Sequence, residues 1–155
     1  MTLVAAEIAL TSQPELWDVI MLKYGILNQN ADREILPLAQ KNNVGIMNMA
    51  SVRIKLPDPQ HLEELIQEWK KKGYVEKDAV PDTKPLDWLI RNEVTSVVDA
   101  GYRFAAEPPS IATVVSGTAN INHLEENAKS LESPFLPTED SQRLKHLFNE
   151  IVEYV

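Results

Sequence analysis

The chain has no cysteine and only five glycines among its 155 residues. Without thiols it makes no disulfides, a composition that suits the cytoplasm. Its three histidines, His61, His123 and His146, lie far apart. With no cysteine to join them, a structural zinc site is excluded and no metal ligands are expected. Positive charge is also short, for the formal net charge is −8. That balance argues against a nucleic-acid backbone or an anionic membrane surface as partner. No run is long and apolar enough to span a bilayer. The apolar first ten residues lack a basic region and contain Glu7, so they read as a helix rather than a signal peptide. There is no short repeat and no low-complexity segment. The expectation is a soluble, cytoplasmic protein.

What is present is a globular composition, 44% hydrophobic and 25% charged, of one domain's length and enough for a real core. Leu3, Ala6 and Leu10 share one side of a first helix over residues 2–12, which Pro14 ends. Residues 17–24 are nearly all apolar and read as a strand covered on both faces. Alternation sets Ile20, Leu22 and Tyr24 against Val19, Met21 and Lys23. A helix over residues 31–41 leads to a second buried strand at 44–49. Residues 60–72 form an amphipathic helix with Leu62, Leu65, Ile66 and Trp69 inward, and Lys70-Lys71-Lys72 reads as its solvated end. A short helix at 85–90 and a longer one at 94–106, interrupted by Gly101, follow. Near the carboxyl end Leu144, Leu147, Phe148 and Ile151 mark a packing helix with Thr138 as its cap. Strand–helix recurs three times, which predicts a parallel sheet covered by helices.

Residues 111–131 are the most informative stretch. Thr113, Val114 and Val115 suit a buried strand. Ser116-Gly117-Thr118 breaks it, and Gly117 lets backbone approach a ligand closely. Asn120 or Asn122 can cap the helix that follows, in which Leu124, Ala128 and Leu131 recur at helical spacing. Such a junction aims unpaired N–H groups at an anion, typically a phosphate. It is also a common feature of α/β proteins, and one glycine is much less than a dinucleotide fingerprint.

Several phrases in order resemble the aldo/keto reductases. Residues 18–28 (DVIMLKYGILN) look like that family's sixth strand, and residues 34–49 (EILPLAQKNNVGIMNM) like the next helix and seventh strand. Residues 102–106 resemble the helix before the eighth strand, and 116–131 (SGTANINHLEENAKSL) the last strand and its helix. The likeness runs from about residue 16 to 136. It implies an α/β fold that is a partial (β/α)8 TIM barrel, roughly strands six to eight with surrounding helices. Residues 1–137 would be the carboxyl half of the barrel, and 138–155 a packing helix of the same domain.

The resemblance also implies a division of labour. The family's Asp-Tyr-Lys-His tetrad belongs to its first four strands, and Met1 falls at about the helix after the fifth. No catalytic residue is therefore carried over, and the chain reads as a truncated, catalytically incomplete oxidoreductase. The cofactor side is retained. Tyr24 stands where the family stacks an aromatic on the nicotinamide, and Ala50, Ser51 and Arg53 fall in the loop around the pyrophosphate. Ser116, Gly117, Thr118 and Asn120 match the turn under the adenosine phosphate, and Glu126 and Asn127 match helix residues that hold the adenine. The cofactor implied is NADP or NAD. Gly117 and His123 replace the basic residues that bind the 2′-phosphate of NADP, which makes NAD plausible. Uncovered strand edges imply self-association or a complementary N-terminal half. The alternative is a non-catalytic half-barrel that binds a nucleotide or another protein.

Overall fold

Three parallel strands lie side by side in the order β1 (Val19–Lys23), β2 (Gly45–Met49) and β3 (Ile111–Val114). The computed structural model describes residues 1–52 and 55–152. Ile20 pairs with Ile46 and Lys23 with Met49. On the other side Ile46 pairs with Ile111 and Met47 with Thr113, with a register shift between them. Parallel strands need crossover connections, and helices supply them. α2 (Ile35–Lys41) joins β1 to β2, while α3 (Pro59–Lys72) and α4 (Val97–Ala106) lie between β2 and β3. α1 (Leu3–Ser12) precedes the sheet, and α5 (Ile121–Glu132) and α6 (Thr138–Phe148) follow it. The fold is α/β with a parallel sheet, consistent with part of a (β/α)8 barrel.

Local chemistry sets most helix ends. Ala5 N–H donates to Thr2 Oγ1 at the start of α1, and Ala6 and Leu10 are buried as their spacing requires. Asp58 caps α3 and Gly73, at φ 76°, closes it in the left-handed conformation that glycine adopts freely. α4 starts at Val97, later than expected, because Ser96 Oγ takes the Asp99 N–H and Asp99 in turn takes the Thr95 N–H. α2 likewise starts at Ile35, after turns at 31–34. Thr138 is the first residue of α6 rather than its cap. Among the described residues no helix is long and apolar enough to cross a membrane.

The core lies on one face of the sheet. Ile20, Leu22 and Ile46 are buried there with Leu62, Ile66 and Trp69 of α3 and Leu144 and Phe148 of α6. The Trp69 and Phe148 rings, 5.7 Å apart and tilted, tie α3 to α6. The other face departs from expectation. β1 is not covered on both sides: Val19 is 48% and Met21 42% exposed, because no described element packs over them. α5 also shows its apolar positions, with Ile121 71% and Leu124 51% exposed and only Ser130 buried. Lys70 corrects the solvated-lysine expectation in the opposite sense. It is buried, and its ammonium donates to the Val80 carbonyl at 2.6 Å and to Asp82 at 2.7 Å.

Candidate functional site

Strand alternation decides where Tyr24 goes. It follows Ile20 and Leu22 onto the helix-covered face and is 1% exposed. Its ring stacks on Phe104 of α4, 5.6 Å away, and its hydroxyl donates to Asp32 at 3.2 Å. Burial pushes the phenol pKa up, and the Asp32 carboxylate pushes it further. The Tyr24 ring is thus enclosed on the helix-covered face, with Phe104 against it. Asn48, buried beside it, joins three elements: Oδ1 accepts from Tyr24 N–H at 2.9 Å and Nδ2 donates to the Ala105 carbonyl at 3.2 Å.

The carboxyl ends of β1 and β2 meet closely. A Cβ on Gly25 would strike the Ser51 carbonyl oxygen, so only glycine permits this contact. Ala50 sits at φ 59°, a left-handed conformation that costs a non-glycine residue energy. Ala50, Ser51 and Asn28 line a small pocket, and Ser51 Oγ and Asn28 Nδ2 are buried with no hydrogen-bond partner among the described residues. Arg53 lies outside the described residues.

A much larger cleft, of about 1020 Å³, lies between α4, α5 and the loop after β2. Gly117, Thr118, Glu126 and Asn127 line it, together with Val52 from that loop. A Cβ built on Gly117 would meet no atom within 4 Å, so the glycine leaves room open to the cleft. Ser116 sits behind Gly117 and is hydrogen-bonded by Asn127 at 2.9 Å and Tyr102 at 3.1 Å. Asn120 is the α5 cap, accepting from Asn122 N–H, and stands outside the cleft lining. Of the sequence candidates, the structure thus gathers Ser116, Gly117, Thr118, Glu126 and Asn127 and leaves Tyr24 elsewhere. Gly101 explains how Val52 comes near: a Cβ there would lie 2.8 Å from Val52 and 2.5 Å from Leu56.

The wall of the cleft contains a buried ion pair that the sequence reading missed. Arg103 Nε donates to Asp99 Oδ1 at 2.7 Å, and its other nitrogens reach the Glu93 and Pro134 carbonyls at 2.8 and 3.1 Å. Burial alone would raise the Asp99 pKa, but the Arg103 hydrogen bond, the Thr95 N–H and the Arg103 charge together hold it below the usual value. The guanidinium is spent on the protein. Lys129 and His123 are the other basic residues of the lining among the described residues. The only sequence signal for the pair was its i, i+4 spacing on a helix. Among the described residues no three His, Asp or Glu side chains converge as a metal site needs.

The fold and the site thus define an α/β protein with a parallel sheet and a cleft beside the amino end of α5. The family is shown by a model described as the aldo/keto reductase family, which matches residues 5–149. The chain belongs to that family. It is similar to the aldo-keto reductase AKR11C1 from Bacillus halodurans in holo form, with TM-score 0.62 and 21% identity. That match covers 97% of this chain and 48% of the other. The apo form gives 0.63 and 20%, covering 97% and 49%. The thermostable aldo-keto reductase Tm1743, in complex with the inhibitor epalrestat, gives 0.53 and 18%, covering 83% and 39%. The chain spans about half the length of the AKR11C1 structures it matches or less of Tm1743. No curated protein matches it.

Proposed function

We propose that the chain is the cofactor-binding part of an NAD(P)-dependent oxidoreductase that reduces aldehydes or oxidises sugars. The observation that carries this reading is the cleft in which Gly117, Thr118, Glu126 and Asn127 come together beside Val52. The residues fit a nicotinamide dinucleotide. Gly117 leaves space for its adenosine phosphate, and the amino end of α5 adds its positive pole. Glu126 and Asn127 hold the adenine, and Ala50 and Ser51 are assigned to the pyrophosphate. When bound, the cofactor supplies or accepts the hydride. This chain's residues bind and orient it, and the Asp-Tyr-Lys-His proton chemistry comes from another part of a complete barrel. The cofactor is NADP or NAD: Gly117 and His123 stand where the family has fixed cations and Arg103 is spent on Asp99, while Lys129 also lines the cleft. The setting is the cytoplasm.

A complementary N-terminal half, supplied by the rest of a longer chain or by another one, is the proposed cover for Val19, Met21 and the free strand edges. The same exposed face favours a second reading, a non-catalytic nucleotide-binding or protein-interaction half-barrel. Fluorescence titration with NADH and NADPH tests the binding reading. Binding of NADH, weakened at least tenfold by Gly117→Trp, is expected. Absence of binding by either dinucleotide at about millimolar concentration, the weak end of useful affinity, would sink it.

A further inference from the structure

We propose that α5 is a hinged wall of the cleft, which pivots about its carboxyl end and tilts toward α4 when a dinucleotide is bound. The inference rests on the dinucleotide reading above and concerns how the same site closes. The carboxyl end is the held end. Ser130 is the residue that α5 buries, and it lies within hydrogen-bonding reach of Asp99. Just beyond the helix, the Pro134 carbonyl accepts from Arg103 Nη1 at 3.1 Å. Arg103 is itself buried in α4 and paired with Asp99, so the pivot stands on a fixed element. Asn127, about one turn nearer the amino end, is tied to Ser116 Oγ at 2.9 Å.

The amino end is loose by contrast. Residues 117–126 are all exposed, yet Gly117, Thr118, His123 and Glu126 among them line the cleft. Ile121 and Leu124 add little packing, because both side chains face solvent. A segment that buries so little moves at a low free-energy cost. The connector 115–120 belongs to no helix or strand and contains Gly117. In the arrangement observed, Gly117 has no positive φ, and a Cβ there would meet no atom within 4 Å. Its freedom as a glycine is thus unused here and open to a second arrangement. The cleft also has room to close. Its volume of about 1020 Å³ matches the upper end of the roughly 300–1,000 Å³ of whole-ligand sites, and the reading above places the adenosine end there. A ligand touching both α4 and α5 gains contacts in the narrower cleft, and that difference in affinity shifts the population. At about 1.5 Å per residue, Ile121 stands about 13 Å from Ser130 along the axis, so a tilt of about 12° carries it about 3 Å.

The chain has no cysteine, which makes paired spin labels a clean test. A label at Ile121→Cys reports the amino end of α5, and one at Glu132→Cys the carboxyl end. Each is paired in turn with Gln40→Cys on α2 and Gln67→Cys on α3, so that motion is seen from two directions; all four sites are exposed. Distances are measured by pulsed electron resonance, without dinucleotide and with saturating NADH or NADPH. At least one Ile121 distance should shift by about 3 Å, with a narrower distribution, while both Glu132 distances stay within about 1 Å. Asn122→Cys, also exposed, takes the place of Ile121→Cys if circular dichroism shows that variant unfolded. Dinucleotide binding by the labelled protein with no shift at Ile121, or with equal shifts at both ends, would overturn the hinge and leave the dinucleotide reading standing. Binding of neither dinucleotide by the unlabelled chain would overturn both.

Discussion

The two faces of the sheet are built from similar residues and differ in almost everything else. On one face Ile20, Leu22 and Ile46 are fully enclosed by helices, and even the polar Asn48 is buried with its amide hydrogen-bonded at both ends. On the other, Val19 and Met21 of the same strand face solvent. Hydrophobic character is alike on both sides of β1, so burial here is decided by which layers are present. The covered face is where stability resides, whereas the open face and the α5 side are where a partner and a ligand have room. The apolar stripe of α5 teaches the same lesson, since Leu124 repeats at helical spacing yet stays exposed.

The contrast is broken most sharply from the covered side. Trp69→Ala removes a fully buried ring that touches Phe148 and should cost about 3–5 kcal/mol, read as a lower denaturant midpoint in urea. Next comes the cleft wall. Asp99→Asn leaves the Arg103 guanidinium buried without a counter-charge, a loss of about 3 kcal/mol at neutral pH. The pH profile sharpens this. The folded pKa of Asp99 lies below its ordinary value, so its contribution is complete above about 3.9 and is lost as pH falls through the lower folded value. Melting curves from pH 7 downward should show that acid-side loss in wild type and a shallower one in Asp99→Asn.

A smaller effect is expected where the loop after β2 touches α4. Gly101→Ala places a methyl group 2.5 Å from Leu56 and 2.8 Å from Val52, and overpacking of this kind costs about 1–3 kcal/mol. Because Val52 borders the cleft, the same variant should weaken NADH binding, measured by titration. The open face should give the least. Met21→Ser should change the stability of the isolated chain by no more than about 0.5 kcal/mol, and a loss comparable to Trp69→Ala would mean that this face is already covered in solution.

Much of the architecture was legible in local patterns. The 3.6-residue spacing of Leu62, Leu65, Ile66 and Trp69 and a cap at Asn120 or Asn122 depend on neighbours in the chain, and the structure contains the helix as read and settles the cap on Asn120. The strand–turn–helix at 111–131 was equally visible, although the strand expected to be buried ends at Val114 and leaves Thr113 and Val115 exposed. So was the family, because ordered phrases over most of the chain carry it. The site was legible only in part. Glu126, Asn127 and Gly117 meet in one cleft, while Tyr24 turned into the core and the Asp99–Arg103 pair went unseen behind the glycine turn.

The amino-acid sequence by itself determined the elements, their order, the parallel α/β class and the family, since periodicity, caps and ordered motifs are properties of neighbouring residues. Only the tertiary structure decided which strand face is covered, why Lys70 is buried against Val80 and Asp82, why Gly101 must lack a side chain, and that Tyr24 stacks on Phe104. Each of these depends on atoms brought together from distant parts of the chain. Alternation along a strand defines two faces but contains no information on which of them a helix will cover.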